Sequence, residues 1–136
     1  MVTGRCECAG VRYRVDGPLR DVYNCHCSRC RRFTGHHLAA TAARPEHVSF
    51  ESDETLRWYR PDDTVAYGFC ARCGSSLFWR AKEIPDKLCI TAGTLDQPTG
   101  LSTAKAWWVA EAGDYFARAP GVQEFDYEDE GRGDEG

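Results

Sequence analysis

The sequence predicts a small, mainly β domain. Two observations predict this class: short segments of alternating apolar and polar residues follow one another, and Gly, Pro, Asp and Asn recur between them. A third is the absence of any long amphipathic helical pattern, of any fixed-period repeat and of any apolar run near the roughly 18 residues of a membrane span. At 136 residues, the chain is long enough for one domain with a modest core.

The first predicted elements are two strands and a short helix. Residues 11–15 alternate apolar and polar side chains and stop at Asp16-Gly17-Pro18, which indicates a strand followed by a turn. A second strand is expected over 19–24, directly before a cysteine cluster. Residues 28–34 can form one or two helical turns, which Ser28 begins as N-cap and Gly35 ends.

The remaining predicted elements are all strands. One ends at Pro61, and another leads directly into the cluster that begins at Cys70. Cys89 stands alone between apolar neighbours, so we expect a buried thiol in a strand, without a function of its own. These strands are predicted at 37–43, 47–50, 55–60, 64–69, 76–80, 88–91 and 105–109.

Charge divides the chain into two parts. The formal net charge is −4, but residues 124–136 contain seven acidic side chains and one arginine, which leaves residues 1–123 slightly basic. An acidic segment interrupted by glycine is typical of a solvated tail. We therefore predict a folded domain over 1–123 and an acidic, disordered tail over 124–136. The absence of a basic extension speaks against a nucleic-acid partner, and we expect no membrane partner.

Seven of the eight cysteines fall into three tight clusters, two pairs and one triple. Thiolates two or three positions apart can chelate one ion, and zinc takes four ligands in a closed structural site but three in an open catalytic one. If each cluster stays whole, the pairs together supply four ligands and the triple supplies three. We therefore predict a structural zinc on the pairs and a catalytic zinc, more easily stripped and so partly occupied, on the triple. The pairs are Cys6, Cys8, Cys70 and Cys73, and the triple is Cys25, Cys27 and Cys30.

A disulfide framework is the alternative for a short chain with eight cysteines. Residues 1–5 open directly into the first cluster, without an apolar stretch or a small-residue cleavage site, so we expect no signal peptide. This context and the lack of a lipidation motif favour reduced thiolates on zinc and a cytoplasmic location. Because the hydrophobic content of 42% is ordinary, the zinc ions are expected to complete the core and not to replace it.

Four motifs occur in order along the chain: GRCECAGVRY at 4–13, CHCSRCRR at 25–32, GFCARCGSSL at 68–77 and AGTLD at 92–96. With these motifs the sequence resembles the glutathione-dependent formaldehyde-activating enzyme family, whose domain also occurs in centromere protein V. The resemblance covers roughly residues 3–116. It implies a zinc-bearing fold of several coiled β-sheets and the same division of the cysteines. It also implies that glutathione adds to formaldehyde to give S-hydroxymethylglutathione, which in reverse is a carbon–sulfur lyase reaction.

The predicted open zinc suits thiol chemistry. A free thiol is mostly protonated at neutral pH, whereas the thiolate is the nucleophile. A thiol that binds beside three thiolates on zinc loses its proton and stays nucleophilic, so that its sulfur can attack a carbonyl carbon. We therefore predict a zinc-dependent lyase-type enzyme that joins a small thiol, glutathione or another low-molecular-weight thiol, to an aldehyde.

Basic residues and one histidine lie within or beside the triple. Arg29, Arg31 and Arg32 would offset the negative charge of three thiolates and could hold a carboxylate of a peptide-like thiol. His26 lies between two ligands and is the nearest candidate for a fourth ligand or a proton carrier. A side chain between two chelating cysteines usually points away from the metal, however, which favours a structural role.

Five further residues have smaller predicted roles. His36 and His37 are candidates for the mouth of the pocket, although surface or core positions are the simpler expectation. Asp96 is expected to cap a turn. Trp107 and Trp108 are expected to pack in the core, with one ring at the rim of the pocket.

Two other functions stay open at the level of sequence. The chain could be a non-catalytic module whose open zinc captures a thiol or a protein partner without turnover. It could also be a structural domain with two zinc ions, in which His26 or another side chain closes the second site.

Overall fold

The computed structural model describes residues 1–129, and these are mainly β, as predicted. They form eleven strands, one α-helix and three short 3₁₀ turns. No helix among these residues is long and apolar enough to cross a bilayer. The strands are β1 (Val2–Arg5), β2 (Arg12–Val15), β3 (Val22–Cys25), β4 (Leu38–Ala43), β5 (Val48–Ser52), β6 (Leu56–Tyr59), β7 (Val65–Cys70), β8 (Ser76–Ala81), β9 (Leu88–Thr91), β10 (Thr103–Trp107) and β11 (Gln123–Glu124), and the helix is α1 (Ser28–Thr34).

The strands form two sheets. A three-stranded antiparallel sheet has the order β1-β2-β5, and an eight-stranded sheet has the order β11-β10-β3-β4-β9-β8-β7-β6. Neighbours in the larger sheet are antiparallel, except that β10 runs parallel to both β3 and β11. The register sets Trp107 opposite Cys25, so that β10 ends beside the start of the cysteine triple.

The main core fills the space between the two sheets. Alternation in β2 buries Tyr13 and Val15 and exposes Arg12 and Arg14, as expected for a strand with one buried face. Tyr13 meets Phe78 of β8 edge-to-face at 5.3 Å between ring centroids, and Phe78 is 1% exposed. A smaller core lies on the other side of the large sheet, around Cys30, Leu38, Ala40 and Tyr67, and therefore adjoins the cysteine triple.

Each predicted strand is present; the strand at 88–91 and α1 have the predicted bounds, and the other strands have shifted ends. The sequence reading missed β1 and β11. Gly4 interrupts the apolar pattern of β1, which is held instead by pairing with β2 in a register that sets Val2 opposite Val15. The two residues of β11 are exposed and polar, and only their pairing with β10 makes them a strand.

The predicted acidic tail begins within the described part of the chain. Phe125 N donates to Ala106 O at 2.9 Å, and Lys105 Nζ is 2.7 Å from Asp129 Oδ2, with both side chains less than 20% exposed. Residues 124–129 thus contact the body of the fold. The remainder of the predicted tail, 130–136, lies outside the described residues.

Candidate functional site

The first group, here the four-thiol cluster, consists of Cys6, Cys8, Cys70 and Cys73. Cys6 follows β1 and Cys70 ends β7, and a tight turn after each brings the second cysteine back. The four Sγ atoms all lie within 4.8 Å of one another. Cys8 Sγ is 3.7 Å from Cys6 Sγ and 3.6 Å from Cys70 Sγ. Four sulfurs around a tetrahedral ion at about 2.3 Å would be about 3.8 Å apart, so this cluster can hold a metal ion.

Donors around the four-thiol cluster favour thiolate sulfur. The backbone N–H groups of Val11 and Cys73 donate to cluster sulfurs at 3.3 and 3.4 Å, and Arg72 Nε donates to Cys8 Sγ at 3.3 Å. Burial alone would raise the pKa of Cys73, but hydrogen bonds from Ser75 and from backbone N–H groups lower it to about 5. The negative charge of the thiolates is therefore partly compensated before any cation binds.

Two glycines allow the turns of this cluster. Gly74 has a φ of +82°, in the left-handed region that glycine adopts without strain, and its N–H donates to Cys70 O at 2.8 Å. A Cβ at Gly10 would overlap Thr55 Oγ1 and approach Arg72 to 2.8 Å. Gly74 is therefore required by its backbone conformation, and Gly10 by the close approach of Thr55 and Arg72.

The second group, here the three-thiol cluster, consists of Cys25, Cys27 and Cys30, whose Sγ atoms also lie within 4.8 Å of one another. Cys25 ends β3, and Cys30 lies in the first turn of α1. Cys27 caps that helix, because its Sγ accepts from the backbone N–H of Cys30 at 3.3 Å. The prediction of Ser28 as N-cap is therefore wrong: a thiolate sulfur occupies the place that a hydroxyl usually takes.

Contacts among the thiols of the three-thiol cluster shift their pKa values in opposite directions. The pKa of Cys27 is lowered to about 2, because the thiols of Cys25 and Cys30 and nearby backbone N–H groups donate to its sulfur. Contact with the Cys27 thiolate in turn raises the pKa of Cys25. Cys30 Sγ is 3.2 Å from the hydroxyl of Tyr67, a side chain that is 1% exposed. Burial raises the pKa of Tyr67, so this group stays a hydroxyl and can donate to Cys30 Sγ when that sulfur is a metal-bound thiolate.

All three thiols line a pocket of about 430 Å³. Five of its lining residues are aromatic, and Cys30 lies beside Tyr67, both of them buried. Trp107 is buried and Trp108 is half-buried, and both line this pocket. The other aromatic lining residues are Tyr23, Tyr67 and Trp79. None of the cysteines of the four-thiol cluster lines this pocket.

The three histidines near the three-thiol cluster pack on one another, away from the pocket. His26 is 1% exposed, and its ring centroid lies 4.7 Å from that of His37 and 4.5 Å from that of Phe116. His26 Nε2 has no hydrogen-bond partner among the described residues. His36 contacts His37 and Tyr115. Neither His36 nor His37 is among the residues that line the pocket.

The arginines of α1 differ in their surroundings. Arg29 lines the pocket and pairs with Asp62 at 3.1 Å. Arg31 is half-buried with its Nε unpartnered among the described residues, and Arg32 is exposed. Farther away, Asp96 follows the 3₁₀ turn Ala92–Thr94. It accepts from Thr3 Oγ1 at 2.6 Å and so links that segment to β1.

Several residues of the site were not identified from sequence. Tyr67 contacts Cys30 only because β7 passes beneath α1, and Glu111 Oε1 accepts from Ser28 N at 2.7 Å across 83 residues of sequence. Glu128, beyond the predicted domain boundary, lines the pocket and accepts from Trp108 Nε1. No local pattern marks these residues, because each contact depends on long-range strand pairing.

Comparison with known proteins agrees with this architecture. The model of the glutathione-dependent formaldehyde-activating enzyme family matches residues 1–111. A Rhodobacter sphaeroides protein of known crystal structure is similar in fold, with a TM-score of 0.60 and 25% sequence identity. That similarity covers 70% of this chain and 88% of the other. The family match takes in both cysteine clusters and most of the large sheet, and the chain therefore belongs to the glutathione-dependent formaldehyde-activating enzyme family.

Proposed function

We propose that this protein is a zinc-dependent carbon–sulfur lyase-type enzyme that activates a small thiol for addition to an aldehyde. The observation that carries the proposal is the position of the three-thiol cluster, which lines a pocket of about 430 Å³. The four-thiol cluster is built from two turns and lines no part of that pocket. This difference supports a catalytic role for Cys25, Cys27 and Cys30 and a structural role for the four-thiol cluster.

The donor sets fit zinc. Thiolates are soft ligands that suit zinc, four of them make a closed site, and three leave one coordination position. Zinc held by Cys25, Cys27 and Cys30 would lower the pKa of a thiol in the fourth position and keep its sulfur nucleophilic. In the overall reaction a carbon–sulfur bond forms, and the proton lost by the thiol ends on the former carbonyl oxygen. The reverse reaction cleaves the same bond, and neither direction needs an oxidant.

The chain's own residues would orient the reactants. The Tyr67 hydroxyl, 3.2 Å from Cys30 Sγ, holds that sulfur in place. The volume of the pocket leaves room for a thiol of the size of a small peptide. Glutathione and formaldehyde are the substrates that the family's name suggests, and another low-molecular-weight thiol or aldehyde would meet the same chemistry. A cytoplasmic location, without nucleic-acid or membrane partners, stays a prediction.

The test combines metal analysis with thiol binding in the purified protein and its Cys27→Ser variant. We expect two zinc ions per chain in the parent and one in a variant that is still folded by circular dichroism. With cobalt in the second site, added glutathione should change the visible spectrum, and S-hydroxymethylglutathione should form from glutathione and formaldehyde. An unchanged spectrum at saturating thiol would contradict the proposal. A changed spectrum without turnover of any thiol and aldehyde pair would instead favour a non-catalytic thiol-binding module.

A further inference from the structure

A second cleft, of about 540 Å³, lies between the two sheets. One wall comes from β5 of the smaller sheet, and the other from β6, β7 and β8 of the larger one. Val48, Leu56 and Leu88 give it an apolar floor, and Phe50 at its side is 39% exposed. The three-thiol cluster lines none of this cleft, which adjoins the three-thiol pocket at Val65, Ala81 and Lys87.

Two arginines flank Ala66 in the wall of this cleft. Arg80 of β8 is paired with Ala66 of β7, and the register of β6 with β7, continued by one residue, sets Arg60 on the other side of Ala66. Strands are spaced about 4.8 Å apart, so the two Cα atoms lie about 10 Å apart with only a methyl group between them. Both side chains line the cleft, and two long guanidinium side chains at that spacing can reach one ligand.

The orientation of Arg80 is fixed by its neighbour. Its guanidinium carbon lies 3.9 Å from the ring centroid of Trp58, which also lines the cleft. Stacking of this kind leaves the edge of the guanidinium plane, and so its N–H donors, free to face a ligand. Arg80 is thus arranged as a planar donor at the side of an apolar floor.

Basic side chains outnumber acidic ones along this cleft. Four basic side chains line it (Arg60, Arg80, Lys82 and Lys87) against one acidic side chain (Asp53), although the whole chain is acidic. Neither Arg60 nor Arg80 forms an ion pair with a described residue. Burial, and next the positive charge of Arg60, lower the pKa of Arg80. The positive charges of the two arginines therefore repel each other.

We propose that the cleft between the sheets binds a small organic anion, with its phosphate or carboxylate group between Arg60 and Arg80 and its apolar body on the floor. The cleft is too large for an inorganic ion alone, and its apolar floor would favour a ligand with a hydrocarbon or aromatic part. A guanidinium group can donate two parallel hydrogen bonds to two oxygens of one phosphate or carboxylate group. The anionic group therefore sets the orientation of the ligand, and the apolar floor contributes to its affinity.

The experiment titrates phenyl phosphate, benzoate and inorganic phosphate into the ¹⁵N-labelled protein and follows the Ala66 amide and the Trp58 indole signals by NMR. We expect saturable shifts with one or both aromatic anions and weaker binding of inorganic phosphate, and the two aromatic probes separate a phosphate site from a carboxylate site. Arg60→Gln and Arg80→Gln should each weaken binding about tenfold. Because Arg60 is exposed, its variant should fold even if Arg80→Gln disturbs Trp58.

The matched control is Arg57→Gln, on the same strand as Trp58 but with its side chain directed at the Glu54 and Leu56 carbonyls. It makes the same change of charge and should leave binding unchanged. Equal weakening by Arg57→Gln would overturn the proposal in favour of diffuse electrostatic attraction. The absence of saturable shifts with all three probes would overturn it as well. Binding should persist in Cys27→Ser, so this result is independent of the function proposed for the thiols.

Discussion

Replacing Tyr67 by phenylalanine tests whether its hydroxyl supports the three-thiol cluster. The substitution removes one donor, 3.2 Å from Cys30 Sγ, and leaves the ring in contact with Phe33 at 4.6 Å between centroids. A hydrogen bond to a charged group contributes about 1.5–3 kcal/mol, and sulfur is a weaker acceptor than oxygen. We therefore expect a loss of about 1–2 kcal/mol in metal binding at this cluster, a factor of about 5–30 in affinity.

Competition with a chromophoric zinc chelator measures this loss, while circular dichroism and thermal melting show that the variant folds. The four-thiol cluster should keep its affinity, because its donors are other groups. Tyr59→Phe is the matched control: Tyr59 is 49% exposed, lies on the neighbouring strand and makes no hydrogen bond through its hydroxyl to a described residue. Equal zinc affinity in Tyr67→Phe, Tyr59→Phe and the parent would refute the role of the Tyr67 hydroxyl.

Three further predictions concern stability. Cys70→Ser should give an unfolded or insoluble protein, because binding of a closed structural zinc is coupled to folding; a soluble variant with a parent-like melting curve would contradict the structural role. Phe78→Ala should lower the free energy of unfolding by about 3–5 kcal/mol in urea titrations, since Phe78 is 1% exposed, whereas a loss below about 1 kcal/mol would mean that the core is not packed as described. Burial, and next the charges of the neighbouring histidines, lower the pKa of His37 from 6.5 to about 4. The folding free energy that depends on neutral His37 is therefore present above pH 6.5 and is lost as the pH falls from 6.5 towards 4. His37→Gln should flatten that part of the pH profile of the free energy of unfolding, and an identical profile would show that His37 does not titrate in this way.

The sequence was sufficient for those features that depend on local pattern. Cysteines two or three positions apart predicted which thiols meet, and the structure brings each predicted group together. Alternation predicted most strands, because residues such as Tyr13 and Val15 need only a buried face to be recognised. The prediction of α1 depended on Ser28 and Gly35; Gly35 does end the helix, whereas its N-cap is Cys27.

Features that depend on long-range pairing were not accessible in this way. The short strand β11 has two exposed polar residues, and it forms because β10 offers a free edge. Glu128 reaches the pocket only after that pairing, so composition alone assigned it to a solvated tail. Tyr67 looked like an ordinary strand residue, since its contact with Cys30 spans 37 positions and depends on how α1 lies across β7.

The two cysteine clusters differ in how they constrain the chain, and β7 connects them. The four-thiol cluster joins Cys8 to Cys70 across 62 residues, whereas the three-thiol cluster spans only six consecutive residues. Closing a loop of that length costs about 4 kcal/mol of chain entropy, against about 2 kcal/mol for the short one. Cys70 ends the strand that also carries Tyr67 to Cys30. Loss of the four-thiol cluster should therefore release β7 and weaken the three-thiol cluster, whereas Cys27→Ser should leave the four-thiol cluster intact.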